Sequence, residues 1–97
     1  MSELSGQELC GEPQDVASCF ERGIAYSSGR EVEIDLVEAH KWFNIAAARG
    51  HVEGAQMRRE IAGLMSDSDI GRAQRAARDW LKANPLPAMP VEIRAAA

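Results

Sequence analysis

Cysteine is scarce in this 97-residue chain, with Cys10 and Cys19 the only two. Two thiols cannot form the dense disulfide framework that staples small secreted domains. Histidine is as sparse, His40 and His51 alone, and no C-x-x-C or H-x-x-x-H spacing occurs. No zinc-ligand pattern is present, so no metal or other cofactor is expected. No window approaches the roughly 20 consecutive apolar residues that span a bilayer. The stretch from Met1 to Gln14 also lacks a basic segment followed by an apolar one, so no membrane role is expected and the cytosol is the expected location. Bases are outnumbered, 11 Lys and Arg against 15 Asp and Glu for a net charge of −4, which argues against a nucleic-acid footprint.

Apolar residues, by contrast, are plentiful at 45%, enough for a chain of this length to close one small core. The charge is unevenly spread. Residues 1–38 hold nine acids against Arg22 and Arg30, a balance of −7, while residues 39–97 come to +3. Such polarity suits the orientation of a protein partner.

Residues 1–13 are rich in Ser, Gly and Glu, without periodicity, and read as a flexible arm. From about Gln14, Val16, Ala17, Phe20, Gly23, Ile24 and Ser27 recur at helical spacing, with Tyr26 at the edge, until Gly29 offers a left-handed stop. After a loop at Arg30 to Ile34, Asp35 and Glu38 have the spacing of a capping box. The second helix carries Leu36, Ala39, Trp42, Phe43, Ala46 and Ala47 as one stripe, expected to face the first helix, and Gly50 closes it. A third helix is expected from Val52 to Met65, with Ala55, Ile61, Ala62 and Met65 inside and Arg58, Arg59 and Glu60 outside. Ser66, with Asp69 behind it, opens a fourth, whose stripe of Ile70, Ala73, Ala76, Ala77, Trp80 and Leu81 runs to Pro85. Residues 85–97, with three prolines, read as a flexible tail. Shifted by 34 residues, Asp35, Ala39 and Phe43 fall on Asp69, Ala73 and Ala77. The expected fold is all-α, a short α-solenoid of two helical hairpins over residues 14–84, with residues 14–50 as the first repeat and 51–84 as a degenerate, capping second.

From Gly23 to Gly50 the order is G-x-x-Y-x-x-G-x-x-V-x-x-D-x-x-x-A-x-x-W-F-x-x-A-A-x-x-G. This order resembles the Sel1-like repeat, a relative of the tetratricopeptide family, in the form met in small bacterial, alphaproteobacterial chains. The resemblance implies scaffold roles for Gly23, Tyr26, Gly29, Val32, Asp35, Ala39, Trp42, Phe43, Ala46, Ala47, Gly50 and Ala55. Two positions depart from it. Arg22 replaces the family's leucine, which is expected to weaken packing on the outer side of the first helix, and the second repeat has no counterpart of Gly23. The resemblance implies a non-enzymatic adaptor for another protein or peptide. A shallow groove lined by the first and third helices is expected to take the partner, with Glu21, Tyr26, Arg58 and Arg59 as candidate contacts. The rival reading is a homo-oligomerising module, the acidic half of one chain meeting the basic half of another.

Catalysis has little to work with. A thiol enzyme or metal site would have to use Cys19 and His40, and Cys19 reads better as a buried packing residue because no arrangement near it lowers a thiol pKa. His40 is expected beside the buried stripe, and His51 over carbonyls at a helix end. Arg72, Arg75, Arg78 and Lys82 are expected on a solvated face, with Asp79 pairing with Arg75 and Lys82 across neighbouring turns.

Overall fold

Four side chains set where the helices begin. The computed structural model describes residues 15–85 and contains α1 (Val16–Ser28), α2 (Leu36–Ala48), α3 (Val52–Ala62) and α4 (Asp67–Ala83). Asp15 accepts from the Ser18 amide (2.7 Å), Asp35 from Glu38 (3.1 Å), His51 Nδ1 from Gly54 (2.9 Å) and Ser66 from Asp69 (3.0 Å). Each thereby satisfies an amide that the first helical turn leaves free. The expected arm over residues 1–13 and the expected tail beyond residue 85 lie outside the described residues. Among the described residues there is no strand, and no helix is long and apolar enough to cross a membrane.

The capping box at Asp35 is half built. Glu38 does not reach back to the Asp35 amide, which donates instead to the Tyr26 carbonyl (3.0 Å). Its carboxylate accepts from Trp42 Nε1 (3.2 Å) and pairs with Lys41 (3.7 Å). At the other end of the preceding helix, Gly29 adopts φ +80° and closes α1 as expected. α3 stops short of Met65, because Gly63, Leu64 and Met65 donate to carbonyls only three residues back, the tighter geometry that often ends a helix.

α2 is the central helix. It buries Ala39, His40, Trp42, Phe43, Ile45 and Ala46, and α1, α3 and α4 each pack against it. One face joins Cys19, Trp42, Ile45, Ala46 and Ala77, with Trp80 and Leu81 packed alongside. Another joins Ala39, Phe43 and Ile61, with Ile24, Met57 and Met65 alongside. The expected single stripe was therefore too narrow, since Ile45 and His40 are buried as well. The expected third and fourth helices form, but they make only slight contact with one another.

Arg22 corrects a second expectation. It is only 9% exposed, and its guanidinium carbon stands 5.0 Å from the centre of the Trp42 ring. A long aliphatic stem with a cation over an indole fills the space that leucine would occupy, so packing is not lost there.

Two glycines let the helices close on α2. A Cβ on Gly23 would stand 2.6 Å from Phe43 Cδ1 and Cε1, and one on Gly54 would stand 3.1 Å from Ala46 Cβ and 3.2 Å from the Phe43 carbonyl oxygen. Gly54, absent from the sequence reading, does for α3 what Gly23 does for α1. Because Phe43 is fully buried, its ring has nowhere to retreat. Gly23→Ala is expected to lower stability by about 1–3 kcal/mol and Gly23→Leu by at least as much, read as a fall in the urea midpoint. An unchanged midpoint for both would show that the α1 to α2 contact is looser than this geometry.

Candidate functional site

The four candidate partner contacts lie in different settings. Glu21 is exposed on α1 and pairs with Arg30 (3.2 Å). Tyr26 is half-buried and packs against both core clusters. Arg58, expected outside, is half-buried, because its Nη1 donates to Asn44 Oδ1 on α2 (2.7 Å). Of the four, Arg59 alone combines exposure with freedom from any ion pair among the described residues. Glu21 and Arg59 are surface groups, whereas Tyr26 and Arg58 hold helices together.

Arg59 borders an open depression of about 320 Å³ where α2 turns into α3. Ala47, Gly50 and Ala55 supply small apolar surface, and His51, Val52 and Gln56 complete the wall. The turn arises because Gly50 takes φ +97°, a left-handed conformation that a residue with a Cβ rarely adopts. His51 follows at once as the cap of α3. Its ring stacks on Phe20 of α1, centroids 4.4 Å apart, so one imidazole ties α1 to the α2–α3 corner. The expectation that His51 covers carbonyls is overturned. Nδ1 accepts an amide proton, so the ring proton sits on Nε2 in this arrangement. Val52, next along, is 70% exposed.

Cys19 and His40 do not form a site. Cys19 is fully buried and packs with Trp42, Ile45, Ala46 and Ala77. His40 precedes Ile45 by five residues, about 140° around the helix at 100° per residue, and so faces away from that cluster. Its neighbours are on the α3 side, where Arg58 lies close enough to disfavour its proton. Cys10 lies outside the described residues. Among the described residues no three His, Cys, Asp or Glu side chains cluster as metal ligands.

The His40 ring is 2% exposed and its Nδ1 has no hydrogen-bond partner among the described residues. Burial first, and then the Arg58 charge, hold its pKa below the ordinary 6.5. Below pH 6.5 the unfolded chain therefore binds more protons than the folded one, so this contribution to stability is fully present above that pH and declines as pH falls. The lowered carboxyls act in a separate window. Asp15, held by hydrogen bonds from Ser18, and Asp69, held chiefly by Arg72, titrate below 3.8 and lose their contribution only in stronger acid. The urea midpoint is expected to fall between pH 7.5 and pH 5.5, and His40→Phe to flatten that fall. Equal slopes in both proteins would assign the pH response to other groups.

Comparison with family models, with curated proteins and with solved structures finds no match to this chain.

Proposed function

We propose that this chain is a non-enzymatic helical module that binds another protein or peptide. The observation supporting it is the depression at the α2–α3 corner, with small apolar residues as its floor, the exposed Val52 at its rim and the unpaired Arg59 at its side. At about 320 Å³ and open to solvent, it is at the lower end of ligand-site volumes and too shallow to enclose a cofactor. It suits one aliphatic side chain of a docked segment, with a carboxylate of that segment set against Arg59.

The scaffold reading is a Sel1-like repeat, with the second hairpin degenerate. In support, Gly23 meets Phe43, Gly29 closes α1, Asp35 caps α2, and Ala39, Trp42, Phe43 and Ala46 are buried. At the 34-residue shift, Ala39 and Phe43 answer to Ala73 and Ala77, all four buried. The caps do not keep that shift, as Ser66 rather than Asp69 starts α4. Together with the slight contact of α3 with α4, this favours a capping unit over a second full repeat. The cytosol, where Cys19 stays a thiol, is the proposed compartment.

The test is capture from host lysate by the tagged full chain beside a Val52→Glu, Arg59→Glu variant, both positions being exposed. Any protein held by the wild type alone is then purified and titrated against both. At least a tenfold weaker binding by the variant is expected, and equal affinities would move the partner surface elsewhere.

A further inference from the structure

The molecule keeps two sets of unpaired charge apart. On α4, Arg75, Arg78 and Lys82 are all exposed and fall within about 60° of arc along roughly 10 Å of helix. Among the described residues none of them enters an ion pair. The expected pairs of Asp79 with Arg75 and Lys82 do not form, and the pair on this helix is Arg72 with Asp69 (2.7 Å). Arg75 leans back along its own helix, its Nη1 3.6 Å from where a Cβ on Gly71 would stand. In the loop between α1 and α2, Glu31 and Glu33 are likewise exposed and enter no ion pair. Ile34 beside them is 63% exposed. Glu31 is held at φ +69°, so the loop keeps a shape that few side chains favour.

Within one molecule the described residues of these two sets form no ion pair with each other. The loop leads into the N-terminal end of α2, whereas Arg49 at the C-terminal end of α2 donates to the Asn84 carbonyl (2.6 Å) just beyond α4. The C-terminal half of α4, with its cations, is thus held toward the end of α2 away from the loop. We infer that the Arg75, Arg78 and Lys82 stripe receives the Glu31 and Glu33 edge of a second copy of this chain, with Ile34 as the apolar contact between them. The acidic edge supplies complementary charge at similar spacing, since residues two apart along an open chain stand about 6–7 Å from each other. A nucleic acid fits less well, because three cations beside Asp79, on a chain of net charge −4, do not track a phosphate backbone. The two patches differ, so the contacts either pair reciprocally in a two-fold dimer or run head-to-tail into a ring or an open chain. It is also weak and salt-sensitive, being built from exposed charges.

The full chain is examined by sedimentation velocity at about 100 μM, in about 20 mM and about 500 mM salt. A mass above 10.6 kDa is expected in low salt, falling to the monomer in high salt. Two variants, Glu31→Gln with Glu33→Gln, and Arg75→Gln with Arg78→Gln and Lys82→Gln, are each expected to be monomeric in low salt with unchanged helix content. Mixed, they are expected to give a one-to-one pair, since one intact edge then meets one intact stripe. A monomeric wild type in low salt, self-association by either variant alone, or a mixture that stays monomeric would each overturn the inference. Val52 and Arg59 are untouched in both variants, so this outcome is independent of binding at the depression.

Discussion

Everything in this fold depends on how closely two helices approach one turn of α2. Gly23 from α1 meets the Phe43 ring, and Gly54 from α3 meets the Phe43 carbonyl and the Ala46 methyl. With side chains at either position, the neighbouring helix would have to stand off and the contacts around it would be lost. The close approach explains why small residues crowd this region. Ala39, Ala46, Ala73 and Ala77 are all buried, and an alanine facing a helix backbone leaves no gap that a larger neighbour must fill. With five aromatic residues in the whole chain, packing density here comes from proximity rather than from bulk.

Where bulk is needed, the two tryptophans supply it, and cations finish the job. Trp42 and Trp80 meet edge to face at 5.2 Å. Arg22 and Lys41 stand 5.0 and 4.6 Å from the Trp42 ring, and Arg49 stands 5.1 Å from Trp80. The guanidinium of Arg49 also donates to the Asn84 carbonyl, so it closes α4 at its last turn, where a positive charge suits the helix dipole. Charged residues thus reach the interior through their stems, with the head groups set against rings or carbonyls. Glu38 follows the same logic when it leaves the capping box for the indole, since a partly buried indole N–H without an acceptor would be the more costly orphan.

Local signals in the sequence survive in the fold and tertiary ones fare unevenly. Asp35, Ser66 and Gly29 act through their own neighbours within four residues, so their roles were legible from spacing. Gly23 was legible because the order of residues around it resembles a known repeat. Arg22 was not, because composition cannot say that an arginine will lie on a tryptophan twenty positions away. His40 and Ile45 were missed for a related reason. A stripe drawn on one face assumes one neighbour, whereas α2 has three, and a helix surrounded on three sides buries residues that a two-helix picture sends to solvent. Gly54 carried a signal, a glycine in a helical run, that has meaning only once another helix is known to cross it. At the candidate site, Arg59 was named from the sequence, but its companions Gly50, His51 and Val52 come together only through the turn that follows α2.

The placement of that depression follows from how α3 is held. α1 and α4 meet in the cluster around Trp42, while α3 rests on α2 and only slightly on α4. Its anchors are Gly54, Met57 and Ile61 on the inner side, Arg58 through Asn44, and the His51 cap. His51 lies in both the cap of α3 and the wall of the depression, so a segment bound there would restrain the first turn of α3 directly. Binding and local folding would then share one contact set, and occupancy of this corner would add to the stability of α3.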